Sequence, residues 1–141
     1  MTRMLLVIDS SVLLKLFLKE EDTDIEKVER LYGLILTGEI KVYCPCLLIL
    51  EMMNVLFKSK RLDKTFLLKV GRSLKKMAIV FESLDMENWQ DLVSLINKYN
   101  LTAYDGSYLW LATKKKCKLL TADKELLKVK EHCISLKDFK I

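Results

Sequence analysis

The chain has 141 residues, 51% of them hydrophobic and 30% charged, with 24 basic against 19 acidic side chains and a net charge of +5. That length and apolar content suit one domain with one core, and exclude a disordered chain or a small scaffold that needs staples. The mild basic surplus admits a polyanionic partner such as RNA, or only a solvated lysine face.

The first apolar run, Met4 to Ile8, reads as a short strand buried on both faces, as in a parallel sheet. A helix starts at Ser10 or Ser11 and is expected to reach about Lys19. Glu20, Glu21 and Asp22 form a charged loop. Thr23 or Asp24 caps a second helix, whose Ile25, Val28, Leu31, Leu34 and Ile35 recur at helical spacing, and Gly38 ends it. Lys41 to Cys44 is a second strand. Pro45 sits where a third helix begins, and that helix runs to about Lys60. Asp63 caps a fourth helix reaching about Lys76. Ala78 to Phe81 is a third strand, and Asp85 caps a helix ending near Tyr99 and Asn100. A further helix covers Tyr104 to Lys116, a fourth strand Lys118 to Thr121, a last helix Asp123 to Lys130, and a short fifth strand Cys133 to Ser135. Strands alternating with helices argue an α/β, Rossmann-like fold with a central parallel sheet of about five strands and right-handed crossovers, a single domain over residues 1–141. In such sheets ligands bind beyond the carboxyl ends of the strands.

Several chemistries are missing. No GxxxxGK[ST] or GxGxxG motif occurs, and the only glycines are Gly33, Gly38, Gly71 and Gly106. His132 is the only histidine, a poor start for a Ser-His or Cys-His mechanism. Cys44, Cys46, Cys117 and Cys133 do not make a zinc spacing and read as buried apolar thiols. No run of about 18 uncharged apolar residues could span a membrane. The first apolar run stops at Asp9 with no small-residue cleavage site after it, so no signal peptide is expected and the protein is expected to be cytoplasmic.

Four acids stand out because each closes or borders an apolar run: Asp9, Glu51, Asp105 and Asp123. Two carboxylates about 4 Å apart repel by roughly 4 kcal/mol at an effective dielectric near 20. If the fold brings four together, some must protonate, splay apart or share a cation. Oxygen-only ligands suit the hard ions Mg²⁺ and Mn²⁺, which activate water and bind phosphate oxygens. Bland readings stand beside this one. Asp9, Asp105 and Asp123 could each cap a helix, and Glu51 could pair with Lys58 or Arg61. Asp22, Asp24, Asp63 and Asp85 fit no motif and read as caps or solvated charge. Trp89 and Trp110 read as core, since each sits at helical spacing with other apolar residues.

At this point the chain resembles a family. Val7-Ile8-Asp9-Ser10-Ser11 looks like the strand followed by Asp-x-Ser/Thr that opens PIN domains. Glu51, in Leu50-Glu51-Met52-Met53-Asn54, looks like their second acid, Tyr104-Asp105-Gly106 like the third, whose usual form is Tyr-Asp-Ala, and Leu119-Leu120-Thr121-Ala122-Asp123 like the fourth. Within PIN domains the ordered set resembles the VapC-type toxins. The resemblance implies a three-layer α/β/α PIN-like fold and a Mg²⁺- or Mn²⁺-dependent endoribonuclease, usually a homodimer and usually held inactive by an antitoxin protein. It implies that Asp9, Glu51, Asp105 and Asp123 hold the metal and its water. Ser11 is expected to hydrogen-bond near Asp9, Thr121 near Asp123, and Asn54 to brace the acids. Gly106 departs from the usual Ala and is expected to loosen the start of its helix.

The stretch from Leu47 to Phe57 is apolar nearly all round, so one face is expected to meet the sheet and the other a second subunit or an antitoxin. The lysine clusters Lys58 to Arg61 and Lys114 to Lys116 end two acid-bearing helices, and either guide RNA phosphates or answer the helix dipole. The competing reading is a non-catalytic PIN scaffold that binds RNA or protein. Phosphoryl-transfer enzymes of the haloacid-dehalogenase type fit poorly, because they place a second Asp where this chain has Ser11.

Overall fold

The computed structural model describes residues 3–21 and 23–141, so the expectation for Asp22 lies outside the described residues. Five strands, β1 (Met4–Ile8), β2 (Ile40–Pro45), β3 (Val80–Glu82), β4 (Lys118–Leu120) and β5 (Cys133–Ile134), form one sheet in the order β3-β2-β1-β4-β5. All four pairings are parallel, and Val7 of β1 lies between Tyr43 of β2 and Leu119 of β4. Consecutive Leu6, Val7 and Ile8 are all buried. Successive strand residues point to opposite faces, so both faces of the central strand are covered. The helices α1 (Ser10–Leu13), α2 (Ile25–Leu36), α3 (Leu47–Met53), α4 (Lys64–Lys76), α5 (Trp89–Tyr99), α6 (Ala103–Lys115) and α7 (Lys124–Leu127) supply that cover in a three-layer α/β/α arrangement. From β1 the chain builds outward through β2 to β3, then returns to lay β4 on the other side of β1. The order therefore reverses between β1 and β4, and the crevice beyond their carboxyl ends is the position such sheets use for ligands.

Local chemistry explains the element ends. Asp24, Asp63 and Asp85 each accept a hydrogen bond from a backbone N–H two or three residues ahead, as caps. Gly38 takes a φ of +83° just after α2, where an L-side chain would be strained. Asn100 and Lys116 end α5 and α6 in the same left-handed region.

The structure also corrects the sequence reading. The first helix is regular only to Leu13 and tightens into a 3₁₀ turn over Leu14–Leu16. Pro45 closes β2, paired with Glu82, and the helix begins two residues later. Beyond Met53 that helix widens into a π-turn over Asn54–Ser59. Strand β3 starts at Val80, because Ala78 is spent on a left-handed exit from α4 (φ 51°). The last helix stops at Leu127, where tight turns through Val129 swing Cys133 into the sheet. Trp110 is core, but Trp89 is 63% exposed, since α5 is an outer helix with no fully buried residue. Cys44 and Cys133 are buried as expected, Cys117 is partly so, and Cys46 is exposed against the Ser83 hydroxyl.

Helix α6 is the internal one. Seven consecutive residues, Gly106 to Ala112, are buried, as α6 runs across β1, β2 and β4 and carries α5 on its outer side. Gly106 is where α5 and α6 cross. A Cβ there would lie 2.3 Å from the Ile96 Cγ2 and 3.3 Å from the Leu92 Cδ1. The glycine therefore permits a close crossing, and the helix start is not loose: Thr102 caps it by accepting the Asp105 N–H at 3.1 Å. Gly106→Ala gains helix propensity but overpacks the crossing. A net loss of about 1–2 kcal/mol is expected in urea unfolding. Ile96→Ala in the same chain should remove the overpacking, so the double variant should lose less than the two single losses combined.

Candidate active site

Asp9 leaves the carboxyl end of β1 as the N-cap of α1, and it is only 5% exposed. Its Oδ1 accepts from the Ser11 hydroxyl at 2.5 Å and from the Val12 N–H at 3.4 Å, and its Oδ2 accepts from the Thr121 hydroxyl. Both hydroxyls pass the bonding on. Ser11 Oγ accepts the Ala122 N–H at 3.0 Å, and Thr121 Oγ1 accepts the Asp123 N–H at 3.0 Å. The expected link of Thr121 to Asp123 thus runs from the Thr121 hydroxyl to the Asp123 backbone N–H rather than to its carboxylate, and the same hydroxyl donates to Asp9. Burial pushes the Asp9 carboxyl up to about 6 against the three hydrogen bonds, and the nearby Asp123 adds to the rise.

Asp123, three residues past β4, caps α7 through Oδ1, which accepts the Glu125 and Leu126 N–H groups at 2.9 and 3.0 Å. Asp105 sits in the first turn of α6, half-buried, with Thr102 rather than Asp105 as the cap. Its carboxyl is raised first by burial, then by Asp123 and, further down, by Glu125. Glu51, on α3, is raised by burial and by Asp105. Asp123 thus adds to the rise at both Asp9 and Asp105, and Asp105 adds to the rise at Glu51.

Glu51 does not pair with Lys58 or Arg61; its Oε1 accepts the Tyr108 hydroxyl at 2.5 Å. Tyr108 is the residue the sequence reading missed. The available signal was its place one turn after Asp105, which puts both on one face of the helix. Asn54 is exposed, and among the described residues its side chain makes no hydrogen bond to any of the acids. The lysines have other work. Lys115 and Lys114 reach Glu82 at 3.1 and 3.7 Å and lie over the Tyr43 and Trp110 rings.

A hard divalent cation fits this donor set, which is carboxylate and hydroxyl with no imidazole. Among the described residues no three His, Cys, Asp or Glu side chains come together as a group that could hold a metal ion. Mg²⁺ is suited to such a site, since it keeps several waters and takes one or two carboxylates directly. Among the described residues no lysine or arginine pairs with any of the four acids.

Comparison with known proteins bears on the fold and the family. Over 81 residues the chain is 33% identical to Exonuclease VapC9 of Pyrobaculum aerophilum, an overlap of 57% of this chain and 61% of that protein, so it spans under two thirds of the relative's length. The crystal structure of PAE2754 from Pyrobaculum aerophilum superposes with a TM-score of 0.65 at 25% identity, covering 95% of this chain and 90% of that one. A toxin-antitoxin complex from Klebsiella pneumoniae gives 0.68 at 14% identity, covering 96% and 98%, a likeness of fold. The PIN domain profile matches residues 6–132. The chain belongs to the PIN domain family.

Proposed function

We propose that this chain is a Mg²⁺- or Mn²⁺-dependent endoribonuclease and the toxin of a VapBC-like toxin-antitoxin pair. The observation that carries the reading is the buried Asp9 at the carboxyl end of β1, held on one oxygen by Ser11 and on the other by Thr121, whose hydroxyl also holds the Asp123 backbone. The names of the relatives, an exonuclease and a toxin-antitoxin complex, support a nuclease of this kind. In this reading the four acids hold the cation, Ser11 and Thr121 fix both oxygens of Asp9, and the α7 cap fixes Asp123. When bound, the cation supplies activation of water and neutralises charge at the phosphate.

The partners follow from surface chemistry. On α3 and the π-turn, Leu48, Met52 and Leu56 face inward while Ile49, Leu50, Met53 and Phe57 are about half exposed or more. An apolar groove of about 390 Å³ lies between this helix and α4. An exposed ridge of that size suits an antitoxin segment or a second copy of the chain. No helix among the described residues is long and apolar enough to cross a membrane. The competing scaffold reading has RNA or protein bound without catalysis.

Purified protein is expected to cut RNA with Mn²⁺ and to stop in EDTA, while Asp9→Asn folds and loses activity by about 100-fold or more. A circular RNA, having no ends, separates endonuclease from exonuclease action. RNA binding with neither cleavage nor Mn²⁺ heat in calorimetry would favour the scaffold.

A second expectation concerns stability in EDTA. The folded-state value of Asp9 lies above its ordinary 3.8, at about 6. The folded form therefore binds the proton more tightly, and the stability this contributes is fully present below 3.8 and is lost as pH rises through 6. Asp9→Asn carries no charge to bury. Relative to the wild type, it should gain up to about 3 kcal/mol between pH 4 and pH 7 in urea unfolding. Parallel pH profiles for the two proteins would refute the buried charge.

A further inference from the structure

We infer that the Tyr108 hydroxyl is the positioning group for Glu51: it ties one carboxylate oxygen to the core and leaves the other to face the site. The inference rests on the metal-nuclease reading and adds a residue to it. Tyr108 is 1% exposed, within the Gly106–Ala112 stretch of α6 that is buried all round, and its hydroxyl donates to Glu51 Oε1 at 2.5 Å. Among the described residues Glu51 Oε2 makes no hydrogen bond. Asp105 precedes Tyr108 by three residues on the same helix face. One rigid helix thus presents an acid and, one turn on, a clamp for a second acid from 57 residues away.

Glu51 needs such a clamp. Its side chain is long and half-buried, its neighbours Leu50 and Met53 are 68% and 53% exposed, and the helix widens into a π-turn three residues later. Free rotamers would lead it to solvent, and ordering them costs entropy when a ligand binds. A neutral donor holds the carboxylate without cancelling its charge, which a lysine or arginine would do. A tyrosine hydroxyl carries its proton at neutral pH, so it remains a donor.

A buried tyrosine also simply needs a hydrogen-bond partner, and the two roles separate by experiment. Isothermal calorimetry with MnCl₂ alone is the probe. Tyr108→Phe should weaken Mn²⁺ binding by about 10-fold or more, the range for groups that orient metal ligands. RNA cleavage by Tyr108→Phe should recover at high Mn²⁺, whereas Asp9→Asn should not. In a Glu51→Gln background, Tyr108→Phe should change Mn²⁺ affinity no further. Equal affinity in wild type and Tyr108→Phe overturns the clamp while leaving the nuclease reading intact; no Mn²⁺ binding by the wild type overturns both. A Mn²⁺-soaked wild-type crystal gives a check that needs no variant. Glu51 Oε1 should remain on Tyr108 with Oε2 toward the cation, and a Glu51 turned away from Tyr108 sinks the proposal.

Discussion

A carboxylate buried at the end of the central strand constrains everything near it. Taking an ionised group out of water is costly unless its oxygens are hydrogen-bonded. Asp9 meets that demand with donors from two directions: Ser11 and Val12 from the turn it opens, and Thr121 from the exit of β4. Those donors are available only if β1 and β4 are parallel neighbours whose carboxyl ends lie level, as the pairing of Ile8 with Leu120 makes them. Ser11 and Thr121 then hold the backbone of Ala122 and Asp123. The strand order, the two loops and the direction of Asp123 are therefore one arrangement rather than four separate features.

Within this arrangement, capping and site-building are not alternatives. Asp9 and Asp123 cap four-residue helices, and Asp123 also adds to the raised carboxyls of Asp9 and Asp105. Asp24, Asp63 and Asp85 make the same cap bonds, but all three are exposed. The cap geometry is common to both sets. Asp9 differs from the exposed three in being buried with two hydroxyl donors, and Asp123 in being partly buried. For Asp123 the division is visible atom by atom, since the cap uses Oδ1 and, among the described residues, Oδ2 has no hydrogen bond.

The parts of this design that are local in sequence were legible there. Apolar runs and caps gave the order of strands and helices, and the four acids stood out because each breaks an apolar run. The features that escaped depend on which elements meet. Tyr108 and Glu51 are 57 residues apart, and nothing in either segment names the other. Gly106 read as a weak helix position because its partner, Ile96, lies on another helix. Trp89 and Trp110 look alike by periodicity, yet one lies on an outer helix and the other on the internal one. Helix-ending rules missed the π-turn after Met53, since that stretch carries no glycine or proline to mark it.

Glu82 shows how this protein treats an acid whose role is structural. It is 23% exposed at the end of β3, and two lysines from α6 come to it. The chain has 24 basic residues and a surplus of positive charge, so partners are not scarce. Still, among the described residues Asp9, Glu51, Asp105 and Asp123 are offered hydroxyls and backbone N–H groups but no ammonium or guanidinium. Hydroxyl and amide donors lower the cost of a buried carboxylate while leaving its charge in place. Lysine would remove that charge from the site. For the three acids whose carboxyls are raised, burial is the first cause and a neighbouring carboxylate adds to it, and no basic side chain among the described residues offsets either. On the proposed metal reading that charge is what would draw a cation, and the hydroxyl and amide donors already in place would fix the carboxylates that meet it.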